Sequence, residues 1–143
     1  MERIKIHLPE TFSFSTKIII RITDINYGGH VGNDTFLSLA HEARQQFLQH
    51  HGYEELNIKG YGLIIADAGI EYKHELKHKD EIIISVAAAN FDKVSFDLFY
   101  KIELIKNEEK ILAGKIKTGM ILYDYTNNKK ISLPEEIISK LKS

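Results

Sequence analysis

Asp24-Ile25-Asn26-Tyr27-Gly28-Gly29-His30-Val31-Gly32-Asn33 runs directly into Asp34-Thr35-Phe36-Leu37-Ser38-Leu39-Ala40-His41-Glu42-Ala43-Arg44. Phe36, Leu37, Leu39, Ala40, Ala43 and Phe47 recur at helical spacing and make one apolar stripe. The pattern predicts a helix from Asn33 or Asp34 to His51, with Asn33 as N-cap, Asp34 in the positive first turn and Gly52 as the stop. A glycine-rich polar loop therefore delivers the chain to a helix N-terminus. Unpaired amides and the positive end of the helix dipole gather there. Such a place can hold the oxygen that turns negative when a carbonyl is attacked.

On both sides of this junction the period changes from helical to alternating. Upstream, residues 12–23 read as a strand in which Ile18, Ile19, Ile20 and Ile22 supply β-branched bulk. Downstream, residues 62–74, 80–91, 94–106 and 110–124 read as strands. Turns are expected at His78-Lys79-Asp80, Asn90-Phe91-Asp92-Lys93, Asn107-Glu108-Glu109-Lys110 and Thr126-Asn127-Asn128. Phe96, Leu98, Tyr100, Ile102 and Leu104 alternate with Ser95, Asp97, Lys101 and Glu103, as in a sheet with one face in solvent; Phe99 breaks the alternation. A short helix is expected near Ser132, where Ser132-Leu133-Pro134-Glu135 resembles a capping box. Strands joined by short turns pair antiparallel. The simplest packing wraps them around the one long helix, giving an α+β fold of two layers.

Composition narrows the function. The 143 residues suit one domain, 1–143, and 43% hydrophobic residues suffice for a core. The formal charge of −1 argues against broad electrostatic capture of nucleic acid or anionic membrane. With no cysteine, thiol nucleophiles, disulfides and thiolate metal sites are excluded. Glu2, Arg3, Lys5 and Glu10 interrupt any apolar leader, so the expectation is a cytoplasmic protein. His74 and His78 would share a strand face about 13 Å apart at ~3.3 Å per residue, too far for one ion, so no metal is expected.

The chain resembles the hotdog-fold thioesterases, the 4-hydroxybenzoyl-CoA thioesterase and acyl-CoA thioesterase families. The loop from Asp24 to Asn33 is similar to a family pattern that reads Asp-Thr-Asp, two small residues, Gly-His-Val-Asn-Asn. Glu42-Ala43-Arg44 matches Glu-Ala-Arg of the central helix. Ile70-Glu71-Tyr72 with Asp80, Lys93-Val94-Ser95, Leu122-Tyr123-Asp124 and Leu133-Pro134-Glu135-Glu136 follow in the family's order. The resemblance implies a hotdog fold and hydrolysis of acyl-CoA or acyl-carrier-protein thioesters. It also implies a homodimer or homotetramer, and no cofactor beyond the coenzyme A of the substrate. The amide near Asn33 would receive the oxyanion, and Gly29 and its neighbours would let substrate approach the backbone.

Two departures bear on mechanism. One branch of the family carries a carboxylate at the position of Asn26, another at the position of His41; neither is present here. An amide holds a water but takes no proton at neutral pH. The base must then come from elsewhere, and each candidate has a plain structural alternative. Asn26 positions a water or shapes a turn. His30 is a base or a backbone hydrogen-bonding group. His41 is a core histidine or a substitute base. Glu42 is a solvated surface residue or reaches a neighbouring subunit's site. Asp67 interrupts the apolar run Leu63-Ile64-Ile65-Ala66 and is either functional or turned outward. Lys93 and Ser95 contact the coenzyme A arm or merely occupy a turn. Two further readings keep the fold and change the activity: a domain that binds acyl thioesters without cleaving them, and an acyl-thioester hydratase or dehydratase using His30.

Overall fold

The computed structural model describes residues 1–143. Strand β1 (Phe14–Ile19) leads through a single 3-10 turn (Ile22–Asp24) and the glycine loop into helix α1 (Thr35–His50). Four long strands follow: β2 (Gly62–Tyr72), β3 (Glu81–Ala89), β4 (Ser95–Lys106) and β5 (Glu109–Asp124). A two-residue strand β6 (Lys129–Lys130) and helix α2 (Glu135–Lys142) complete the chain. All pairings are antiparallel, in the order β1-β3-β4-β5-β2, with β6 on β5. This is the expected α+β hotdog arrangement, a six-stranded sheet curved around one long helix.

The alternation seen in the sequence sorts the sheet into two faces. Phe96, Leu98, Tyr100, Ile102 and Leu104 of β4 are buried on the helix side, beside Ile82, Ile84 and Val86 of β3 and Ile116, Met120 and Leu122 of β5. From α1, Phe36, Leu39, Ala40, Ala43, Phe47 and Leu48 enter the same cluster. Phe99, which broke the alternation, points to the outer face and is also buried. The chain's first residues cross that face. Ile6 is buried there, its amide bound to the Glu71 carboxylate and its carbonyl accepting Lys115 Nζ at 3.3 Å. Further along, the Phe12 ring lies 5.0 Å from Lys101 Nζ.

Several boundaries differ from the sequence reading, each for a local reason. The first strand stops at Ile19, because Asp24 accepts the Arg21 amide at 2.8 Å and closes the 3-10 turn. Helix α1 begins at Thr35, with Asp34 rather than Asn33 at the N-cap and no side-chain cap. Helix α2 begins at Glu135, capped by Pro134; Ser132 makes no capping bond, because Leu133 is tied by its amide to the Lys93 carbonyl at 2.8 Å. The expected turns are real: Lys79, Asn90, Asn107, Glu108 and Asn128 all adopt positive φ. No helix is long and apolar enough to cross a membrane.

Candidate active site

The glycine loop is a small antiparallel excursion held at its base by the Ile25–Val31 bridge. Asn26 donates its amide to the His30 carbonyl at 2.8 Å and accepts the Gly28 amide on its side-chain oxygen at 2.9 Å. Gly29 turns the tip at φ +82°, a left-handed conformation that side chains disfavour. The Val31 amide then bonds to the Leu76 carbonyl at 2.8 Å, which fastens the loop to the segment after β2. These contacts fix where His30 and Asn33 stand.

Helical hydrogen bonding starts with the Thr35 and Phe36 amides, both donating to the Gly32 carbonyl at 3.0 and 3.3 Å. The Asn33 and Asp34 amides precede that first acceptor pattern and have no backbone partner. A cleft of about 570 Å³ opens at this tip, lined by His30, Val31, Asn33, Phe36, Tyr72, Lys73, His74 and Glu75. Its aromatic wall is the Phe36 and Tyr72 pair, with ring centroids 5.2 Å apart in an edge-on arrangement. The Tyr72 hydroxyl donates to the Asn33 carbonyl at 2.9 Å and so anchors the residue that begins the helix. Burial, with the Asp34 charge beside it, holds the Tyr72 phenol above its ordinary value, so it remains a donor at neutral pH.

Of the residues picked from the sequence, His30 and Asn33 meet in this cleft, while Gly29 stands exposed at the loop tip beside it. Asn26 is exposed outside the lining set, with its side-chain oxygen engaged in the loop. His41 and Glu42 lie elsewhere, in a groove of about 560 Å³ between α1 and the β1 edge, with Arg21, Ser38, Gln45 and Gln46 among its lining. His41 is not a core histidine: its side chain is exposed, with Nε2 3.4 Å from Glu55. Glu42 accepts the Gln46 amide at 2.9 Å.

Asp67 is exposed rather than buried, and it completes a sheet irregularity. The β2–β5 register slips between Ile65 and Asp67, and the Asp67 carboxylate accepts the Gly119 amide at 3.0 Å and Lys117 Nζ at 2.8 Å. Gly119 permits this approach, since a Cβ there would sit 2.6 Å from the carboxylate oxygen. The Lys117 hydrogen bond holds the Asp67 carboxyl below its ordinary range, which fits a structural ion pair. Lys93 and Ser95 stand at the start of β4, where the Lys93 amide bonds to Asp92 at 2.8 Å; neither lines the cleft.

Two features escaped the sequence reading. Glu75 lines the cleft with its Oε2 3.1 Å from His30 Nε2. Its position on a short irregular segment gave no periodicity to read. Arg44 is 4% exposed, bound to Glu55 and donating to the Tyr100 hydroxyl at 3.1 Å, which in turn meets Thr118 Oγ1 at 2.8 Å. The Glu42-Ala43-Arg44 triplet, with Arg44 beside the apolar stripe, was the available signal for that network.

An antiparallel sheet around a central helix, with free amides and an open cleft at the helix start, defines a hotdog protein. A sequence model of the Thioesterase-like superfamily matches residues 20–141, and the chain belongs to that family. It is similar to the 1,4-dihydroxy-2-naphthoyl-CoA hydrolase of Rippkaea orientalis (strain PCC 8801 / RF-1), 25% identical over 130 residues, covering 87% of this chain and 91% of that one. The 1,4-dihydroxy-2-naphthoyl-CoA thioesterase from Synechocystis superposes with a TM-score of 0.79 at 19% identity, covering 90% of this chain and 94% of the other. The 4-hydroxybenzoyl-CoA thioesterase from Pseudomonas sp. strain CBS-3 gives a TM-score of 0.79 at 14% identity, covering 91% and 99%. At those identities the two structures establish the shared fold.

Proposed function

We propose that the protein hydrolyses an acyl-CoA thioester whose carbonyl oxygen rests on the Asn33 and Asp34 amides. The observation that carries this is the cleft at the start of α1, lined by His30 and by Asn33, whose amide, like that of Asp34 next to it, has no backbone partner. Backbone donors fixed before the reaction stabilise a developing oxyanion without having to reorient. A neutral imidazole is the side chain best matched to take a proton from water near pH 7. Asn26 and Gly29 shape the loop that presents it. No group beyond the coenzyme A of the substrate takes part.

The acyl group is proposed to be aromatic. Two observations support this: the edge-on Phe36 and Tyr72 rings that wall the cleft, and the aryl-CoA substrates in the names of similar proteins. Acyl-carrier-protein thioesters carry the same reacting group and belong in the test. A homo-oligomer is supported by the exposed centre of the edge strand β2, where Ile65 is 51% exposed. An acyl-CoA substrate supports a cytoplasmic site of action.

The test is thiol release, followed with a chromogenic disulfide. The panel holds 4-hydroxybenzoyl-CoA, 1,4-dihydroxy-2-naphthoyl-CoA, short and long aliphatic acyl-CoAs and an acyl carrier protein. Release from the aryl substrates at the highest kcat/KM is expected. Thermal stabilisation by these thioesters with no thiol released would replace the hydrolase with a binding module.

A further inference from the structure

We propose that Glu75 is a positioning residue for the His30 base and supplies, from within the same cleft, the carboxylate that Asn26 and His41 do not. The inference rests on the hydrolase reading above and deepens it.

Glu75 Oε2 lies 3.1 Å from His30 Nε2, and no other side chain in the chain pairs with that carboxylate. Its neighbours are otherwise engaged. Lys73 Nζ is paired with Glu71 at 3.1 Å on the far side of the strand, and His74 Nδ1 lies 2.7 Å from the Glu75 carbonyl. The Val31–Leu76 backbone bond ties the segment bearing Glu75 to the loop bearing His30, so the pair is held by main chain on both sides. A carboxylate accepts only. It therefore selects the tautomer with the proton on Nε2 and leaves the lone pair on Nδ1, which has no partner within the chain.

The chemistry follows from that tautomer. Nδ1 takes a proton from water as the water oxygen bonds to the acyl carbon. The carbonyl pair moves onto oxygen, facing the Asn33 and Asp34 amides. The imidazolium that forms is stabilised by the Glu75 carboxylate through its Nε2–H. When the tetrahedral intermediate collapses, the carbon–sulfur bond breaks and the departing thiolate takes the proton from Nδ1. Free thiol and an acid result; the acid ionises and releases one proton, so no oxidant or further reactant is needed. The sequence of roles is that of a base oriented by a third group.

The decisive experiment is a double-mutant cycle on thiol release from 4-hydroxybenzoyl-CoA, with far-ultraviolet circular dichroism and thermal melts as folding checks. Glu75→Gln keeps the shape and removes the charge; a fall in kcat of ten- to a hundredfold with little change in KM is expected. His30→Gln should fall further, and the double variant should be no slower than His30→Gln alone, because Glu75 acts through His30. Glu75→Asp should recover part of the loss. Independent, multiplying losses would overturn the proposal, as would an E75Q rate equal to wild type in a protein that does hydrolyse the thioester. Wild-type protein that releases no thiol from any member of the panel overturns the hydrolase reading itself, and this inference with it.

Discussion

Helix α1 borders two hollows of nearly equal size, about 570 Å³ at its start and about 560 Å³ along its flank, and they are chemically unlike. The first is equipped by backbone geometry. Amides left over at a helix start have no acceptor, and no substitution removes them short of proline. The second is equipped by side chains, of which His41 and Glu42 are engaged with Glu55 and Gln46. The flank matches the first hollow in volume, yet its free donors, such as Lys17 and Ser38, are rotatable side chains rather than backbone amides held in place. Volume alone does not separate the two; backbone donors fixed in place do.

The sharpest way to break this distinction is a pair of variants. His30→Ala should lower kcat for thiol release by about 10²–10⁴-fold, the usual worth of a positioned acid–base group. His41→Ala should change it less than about threefold, within the spread of ordinary surface substitutions. Equal losses would show that the flank of one copy completes the cleft of another, and would merge the two hollows into one site.

The next largest effect is on stability. Arg44 is buried, and its removal takes a hydrogen bond from the buried Tyr100 hydroxyl and leaves the half-buried Glu55 with His41 as its remaining partner. Arg44→Ala should cost about 2–5 kcal/mol, read as a lower urea midpoint, because a fully packed side chain is lost together with its hydrogen bonds to Tyr100 and Glu55. Burial holds the Tyr100 phenol above its ordinary value even against the adjacent guanidinium, so Tyr100 does not ionise in the working range. Tyr100→Phe tests the same network more gently, since Phe preserves the packing volume. A loss much smaller than Arg44→Ala is expected, about 1–3 kcal/mol for the donor and Thr118 hydroxyl left unsatisfied.

How far the sequence carried these conclusions depends on the kind of signal. Strands β2–β5 were legible because period-two alternation and positive-φ turn residues agree at Asn90, Asn107 and Asn128. The helix was legible from its stripe, and the cleft from the glycine loop that precedes it. Asp67 turns outward, one of the two readings its alternation allowed, but its partners Lys117 and Gly119 were not legible, because the slip after Ile65 changes which neighbours a side chain meets. His41 was misplaced by its closeness to the apolar stripe, since a residue at the stripe's margin can rotate outward to a partner such as Glu55. Glu75 could not have been found, because its role depends on a contact spanning 45 residues that only the Val31–Leu76 bond creates. Chemistry assembled by tertiary contact leaves no local pattern.

A smaller effect sharpens the contrast on the cleft's own strand. Tyr72→Phe removes the hydroxyl that anchors the Asn33 carbonyl and should cost about 0.5–1.5 kcal/mol, with a modest rise in KM if the helix start is loosened. A drop in stability without any change in kinetics would mean that the start of α1 holds its place unaided.

The least of the expected effects separates the cleft loop from the arm on the opposite face of the sheet. Glu71 neighbours Tyr72 on β2 but faces outward, where the Ile6 amide and then the Lys73 hydrogen bond hold its carboxyl below the ordinary range. A carboxyl depressed in the fold contributes stability that is complete above its unfolded value, about 4.3, and disappears as pH falls through the folded one. Hydrogen exchange at the Ile6 amide, corrected for the intrinsic rate, should therefore lose its protection on acidification below that value. The Val31 amide, bonded to the Leu76 carbonyl, has no titrating partner and should stay protected until the whole domain unfolds. Glu71→Gln should flatten the pH response at Ile6 and leave Val31 unchanged. Concerted loss at both amides would instead mean that the arm and the cleft loop open as one unit, and that the site at the helix start depends on the covered outer face.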